Sequence, residues 1–291
     1  MPSIASLIQA SQAIALSQDP KQNVSFLDAT YVLPQMGRDA EAEYLAEHIK
    51  GAAWFNLDEQ SDRQSPYPHM LPPANIFEEN MQRLGLGTAT HIIVYDNSPF
   101  LSCARAWFMF RYFGHANISI LDGGLAAWRA AGGALGAGLE VQPYGDFRVK
   151  PPIADTAFTS LLEMQKILGV GNAQIIDARG HARFTGQETE PREGMASGHI
   201  PGARNLPITS LLDPETQKIK PIGEIRTLFE AAQIDFNAPI ITTCGSGVTA
   251  CGLAFALHLC GMNKVAVYDG SWSEWGHGAQ SRSACPIATG I

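Results

Sequence analysis

The stretch of this chain best suited to chemistry is ITTCGSGVTACGLAFALHL, in which an apolar run ends at Thr243 and a helical pattern starts at Val248. Cys244 falls between them, a thiol at the end of a buried strand, where α/β folds place their ligands. Gly245 and Gly247 let the backbone curl, so the N–H groups from Gly245 through Ser246 to Val248 and Thr249 can converge on one point. The helix N-terminus adds its partial positive charge. Both effects favour a thiolate, and the thiolate is the form that attacks. Two rival chemistries fail on composition. A phosphate-binding loop would close on an Arg, and Ala250 stands in that neighbourhood. A serine-hydrolase elbow needs a Gly two positions before its Ser, and Ser246 has Cys244 there.

A second cluster lies between His181 and His199, in ARFTGQETEPREGMASG, which carries Arg183 and Arg192. A guanidinium fork grips a carboxylate bidentately, so two in one loop could hold the carboxylate and keto oxygens of a small acid. The plain alternative is a pair of solvated surface arginines. Cys103, Cys251, Cys260 and Cys285 read as small buried hydrophobes. None of the five cysteines forms a CxxC or a zinc-finger spacing, so neither a metal nor a disulfide framework is expected.

The elements that must carry these groups come in two copies. SFLDAT at Asp28 matches QIIDAR at Asp177, and HIKGA at His48 matches HIPGA at His199. HIIVYDNS matches PIITTCGS, with Asp96 over Cys244, and ISILDGGLAAW matches VAVYDGSWSEW, with Asp122 over Asp269 and Trp128 over Trp275. All four blocks keep one order at a spacing of about 150 residues, the mark of a duplicated domain. His48, His199, Trp128 and Trp275 recur even in the copy without the nucleophile, so they are assigned to the fold. Strands are expected at Gln174–Asp177, Pro239–Thr243 and Lys264–Tyr268, with a helix over Val248–Gly261. Short β-branched runs alternating with helices predict α/β domains, each a mostly parallel sheet with helices on both faces. The expected division is residues 1–135, a linker at 136–155 rich in Gly and Pro, and residues 156–291.

Composition bounds the partners. The 291 residues, 45% hydrophobic and 16% charged, exclude disorder and suffice for a large core. A net charge of −8 argues against nucleic acid. No apolar run is long enough to span a bilayer. The first Lys is Lys21, and Ser6, Gln9, Ser11 and Gln12 interrupt the N-terminal apolar residues, so no secretory leader and a cytoplasmic location are expected.

The tandem order, GHIPGA at Gly198–Ala203 and CGSGVTA at Cys244–Ala250 resemble the tandem rhodanese-domain sulfurtransferases over essentially the whole chain. The loop is similar to that of the members using 3-mercaptopyruvate. Thiosulfate-using members carry a basic loop of the CRKGV type, which would attract a dianion. The resemblance implies two rhodanese-like domains, the first inactive, with Asp96 in the nucleophile's place. It also implies transfer of sulfur from 3-mercaptopyruvate through a Cys244 persulfide, cradled by the loop amides, to thioredoxin, a small thiol or cyanide. Pyruvate is released and no cofactor is needed. RFxGxxxEPR is similar to the family's substrate-binding segment and carries that role onto Arg183 and Arg192; Arg179 receives none. The segment FNLDEQSDRQSPYPHML matches one that supplies an Asp and a His, here Asp58 and His69, to a relay with Ser246; Asp62 is a competing carboxylate. Thiosulfate transfer, or a persulfide-carrying or protein-binding module with little turnover, are the other readings.

Overall fold

A computed structural model describes residues 5–262 and 264–290; the first four residues of the expected first domain, with Asn263 and Ile291, lie outside them. Contacts divide the chain into two units. The first holds residues up to Arg63, Pro72–Ile153 and Asp213–Ile219, and the second holds Gln64–Leu71, Ala154–Leu212 and Lys220 onward. Each unit therefore includes a short segment from the other half of the sequence.

The first unit runs β1 (Leu7–Ile8), α1 (Ala10–Gln18), β2 (Val24–Asp28), α2 (Ala40–Ala46), β3 (His48–Ile49), β4 (Ala53–Trp54), α3 (Ala74–Arg83), β5 (His91–Tyr95), α4 (Cys103–Tyr112), β6 (Ile118–Leu121), α5 (Gly124–Ala130) and β7 (Leu135–Gly136). The second runs β8 (Ala157–Thr159), α6 (Leu161–Val170), β9 (Gln174–Asp177), α7 (His181–Thr185), β10 (Arg204–Asn205), α8 (Ile222–Ala231), β11 (Ile240–Thr243), α9 (Val248–Leu259), β12 (Val265–Tyr268) and α10 (Ser271–Trp275). The five-stranded sheets are parallel throughout, in the orders β1-β6-β5-β2-β4 and β8-β12-β11-β9-β10. The two orders correspond strand for strand, so the sequence repeat is a repeat of topology. Every residue of β5 and β11 is buried, as the apolar or β-branched runs Ile92–Tyr95 and Ile240–Thr243 require of strands covered on both faces. None of the helices in the described residues is long and apolar enough to cross a membrane.

The repeated histidines and tryptophans hold this scaffold. His48 stacks on Tyr44 at 4.3 Å, and its Nδ1 is 2.8 Å from the Tyr44 carbonyl oxygen. His199 does the same on Phe184, at 3.9 Å and 2.9 Å. The Trp128 indole donates to the Ala134 carbonyl, and Trp275 donates to that of Pro286. All four rings are buried.

The stretch expected as a linker contains the boundary between the two units, and the part before it is anchored to the first unit. β7 pairs antiparallel with β3, and Phe147 is fully buried between Phe77 and Phe110. Backbone N–H groups of Gly145, Phe147, Lys150 and Ile153 donate to carbonyls of Gln82, Leu86, Phe113 and Arg111. One buried aromatic in a Gly- and Pro-rich run produces no hydrophobic periodicity, which is why the sequence reads as loose. A Cβ on Gly145 would sit 1.9 Å from the Leu86 carbonyl oxygen. Gly145→Ala should therefore destabilise the protein by about 1–3 kcal/mol, through forced backbone shifts. Urea unfolding checks it, and an unchanged midpoint would mean the segment is not held there.

Candidate active site

Cys244 follows the last residue of β11 and is buried, with 2% exposure. Parallel pairing sets Thr243 beside Asp177, the last residue of β9, so the loops after both strands emerge together. The chain turns at Gly247, whose φ of +77° only glycine adopts readily, and enters α9. The first turn of any helix leaves its N–H groups without intrahelical partners, and here that turn begins at Val248. The turn after β12 clamps the loop. Ser271 accepts the Cys244 N–H at 3.2 Å, the Trp272 N–H donates to the Cys244 carbonyl at 3.0 Å, and the Ser273 N–H donates to Gly245 at 2.8 Å. Ser271 holds φ +48°, a strained value for a residue with a side chain, and its hydroxyl donates to the Tyr268 carbonyl.

Both arginines of the 181–199 insert come to this loop. A Cβ built on Gly245 would lie 3.2 Å from Arg183 Nη2 and 3.8 Å from Arg192 Nη1. Arg183 is aimed by Glu190, which accepts from its Nε and Nη2 at 3.3 and 2.5 Å. Glu190 is itself fixed by the Arg179 Nη1 at 2.6 Å. Arg179 is buried, donates to both oxygens of Asp177 and to the Gly198 carbonyl, and lies 4.4 Å over the Trp272 ring. Burial works against its charge, but Asp177 and then Glu190 outweigh burial and hold the guanidinium firmly protonated. Glu190, Asp177 and Ser271 thus belong to the site's frame. In the sequence Asp177 recurs as Asp28, Glu190 falls within RFxGxxxEPR, and Ser271 lies in a repeated block, but none of these signals assigns a role.

His69 belongs to the second unit, within Gln64–Leu71, and is buried. Its backbone holds φ +61°, and its Nδ1 lies 2.8 Å from the Ser246 hydroxyl oxygen. A cysteine, a hydroxyl, an imidazole and two guanidinium groups are therefore gathered at one loop. Asp58 lies in the first unit, exposed, and its backbone N–H donates to the Asn56 side chain at 3.1 Å.

The first unit repeats the frame with different groups. Asp96 is buried in the place matching Cys244 and accepts from the Ser98 and Ser102 hydroxyls and the Cys103 N–H. Burial raises its pKa, and the two hydroxyls oppose that. Arg38 is paired with Glu43 and donates to the Asn97 carbonyl at 2.9 Å, the loop position matching Gly245. Gln217, with φ +55°, lines the small cavity there beside Arg38, Asp96 and Ser98. Burial, reinforced by the Asp96 charge, pushes the Cys103 thiol far up, so it stays protonated and inert. Cys251 and Cys285 are fully buried, and the Cys251 thiol donates to the Gly247 carbonyl.

The rhodanese-like domain family matches residues 10–131 and again 160–277. The 3-mercaptopyruvate sulfurtransferase of Homo sapiens is 45% identical over 87% of this chain and 85% of its own. The chain belongs to the tandem rhodanese-domain sulfurtransferases. Within that family the thiosulfate sulfurtransferase of Gallus gallus is also similar, 40% identical over 87% of this chain and 86% of its own. Among solved structures, SseA from Escherichia coli, described as a 3-mercaptopyruvate sulfotransferase with the rhodanese fold, superposes with a TM-score of 0.82 at 37% identity. That match covers 93% of this chain and all of the other.

The charge network separates frame from site. Arg179→Met leaves Asp177 buried without its cation and removes one of the two guanidinium groups on Glu190, and it should cost about 3–5 kcal/mol. Arg183→Met leaves Glu190 paired with Arg179 and should cost clearly less in denaturant unfolding. Equal losses for both variants would contradict this division.

Proposed function

We propose that this sulfurtransferase takes sulfur from 3-mercaptopyruvate, stores it as a persulfide on Cys244, and passes it to a thiol or cyanide with release of pyruvate. The observation that carries the reading is the uncharged Cys244-Gly245-Ser246-Gly247 loop with Arg183 and Arg192 beside it. A loop without basic side chains gives a dianion no side-chain charge of the kind a CRKGV loop supplies. A monoanionic keto acid is instead gripped from the side, by two forks that match its carboxylate and keto oxygens.

The first half-reaction forms one bond and breaks one. The Cys244 thiolate attacks the substrate sulfur, the S–C bond breaks with its electron pair going to carbon, and the enolate of pyruvate leaves. Arg183 and Arg192 stabilise the charge that develops on the enolate oxygen. The substrate's thiol proton ends on the methyl carbon of pyruvate, and Ser246 and His69 form the route proposed for it. Asp58 enters this route only through the family resemblance, as the carboxylate orienting the imidazole. Loop N–H groups at Gly245, Gly247, Val248 and Thr249 hold the negative outer sulfur. In the second half-reaction, thioredoxin, a small thiol or cyanide attacks that sulfur and restores the Cys244 thiolate. A reducing, cytoplasmic setting that keeps acceptor thiols free suits this half.

Thiosulfate transfer is the second reading, since a thiosulfate sulfurtransferase is nearly as similar in sequence. Steady-state rates with the two donors and cyanide as acceptor separate them. Wild-type protein should release pyruvate from 3-mercaptopyruvate with a kcat/KM well above that for thiosulfate. Arg183→Ala and Arg192→Ala should each lower the former by roughly one to two decades, the worth of a charge-assisted bidentate contact. A Gly245→Arg, Ser246→Lys double variant should shift preference towards thiosulfate. Faster turnover of thiosulfate by the wild type would replace the reading.

A further inference from the structure

Two aspartates recur at the C-terminal ends of matching strands, and the activity proposed above gives neither a role. Asp122 follows β6 and Asp269 follows β12. Asp122 Oδ1 accepts the Ile219 N–H at 2.9 Å, and Asp269 Oδ2 accepts the Leu71 N–H at 2.8 Å. Ile219 closes the segment Asp213–Ile219 of the first unit, and Leu71 closes the segment Gln64–Leu71 of the second. Both acceptors are buried, and both latched segments contain a non-glycine residue at positive φ two positions before the latched N–H: Gln217 at +55° and His69 at +61°. The device is thus built twice. Only the second copy presents an imidazole.

We infer that Asp269 is a positioning residue for sulfur transfer, latching the Gln64–Leu71 strap through the Leu71 N–H so that His69 stays against Ser246. A histidine held at φ +61° is unfavourable on its own and persists only where neighbouring contacts fix the backbone. The strap is also held at Tyr67. Gln280 donates to the Tyr67 hydroxyl at 3.1 Å, and the Tyr67 ring meets His277 edge-on at 5.8 Å. Asp269 holds the end nearest His69. It also starts the turn whose Ser271, Trp272 and Ser273 clamp the Cys244 loop. The nucleophile loop and the histidine strap are therefore pinned to one five-residue turn, which keeps proton relay and sulfur acceptor in register.

This inference rests on the proposed mercaptopyruvate chemistry, and its test keeps the two apart. The measurement is kcat and KM for pyruvate release from 3-mercaptopyruvate with cyanide as acceptor. Asp269→Ala should lower kcat about tenfold or more, as loss of a charge-assisted hydrogen bond allows, with KM nearly unchanged because the arginines still bind the substrate. Asp269→Asn retains an oxygen acceptor and should keep kcat within about threefold of wild type. In a His69→Ala background, Asp269→Ala should add less than a twofold further loss, since residues acting as one unit are not additive. Asp122→Ala breaks the matching latch in the first unit and should leave kcat as it was. If Asp269→Ala does not fold, Leu71→Pro, which deletes the donated proton and spares Asp269, must reproduce the kcat loss. Wild-type kcat in Asp269→Ala or in Leu71→Pro, a loss in Asp269→Asn equal to that in Asp269→Ala, or full additivity with His69→Ala overturns the inference. Failure of the wild-type protein to release pyruvate overturns the underlying reading instead.

Discussion

The sulfur transfer proposed for this molecule depends on holding one short loop, Cys244–Gly247, with its backbone curled at the mouth of a parallel sheet. A strand delivers the cysteine and a helix leaves from Gly247, but neither alone fixes the sulfur. The turn after β12 does so, by taking up the N–H and carbonyl of Cys244 and the carbonyl of Gly245. The strained backbone of Ser271 is part of that clamp. Strain of this kind costs about 1–3 kcal/mol and persists where the surroundings over-determine it.

Comparison within the chain shows how little has to change to switch chemistry on a fixed frame. Both units place an arginine, paired with a glutamate, beside the loop after the central strand. Both latch a short segment with an aspartate. In the first unit the residue after the central strand is Asp96, already satisfied by Ser98, Ser102 and Cys103. In the second it is Cys244, with Ser246 and His69 next to it. The second unit also adds the insert carrying Arg192, so its loop faces two guanidinium groups where the first faces Arg38 alone.

Much of this was legible in the sequence because it is local. β11, Cys244, Gly247 and α9 are contiguous, so strand, turn and helix signals fall in one window, and the expected strands match β9, β11 and β12 within a residue at each end. The duplicated blocks disclosed the tandem parallel sheets. The packed run up to Ile153 was hidden because its anchors are backbone hydrogen bonds and one phenylalanine, which leave no period. The exchange of Gln64–Leu71 and Asp213–Ile219 was hidden for another reason: those segments meet their partners only after long loops close, and nothing in a local pattern records that. Glu190 falls within RFxGxxxEPR, but that it sits buried between Arg179 and Arg183 is seen only in the structure.

The central claim is that Cys244 carries the sulfur. Its most direct test is intact-protein and peptide mass spectrometry after a stoichiometric amount of 3-mercaptopyruvate is added without an acceptor, with pyruvate measured in the same sample. The account predicts one added sulfur atom on the peptide containing Cys244, pyruvate in equal amount, and loss of both in Cys244→Ser. Sulfur on Cys103, Cys251, Cys260 or Cys285 instead, or pyruvate formed without any mass gain on the protein, would contradict it.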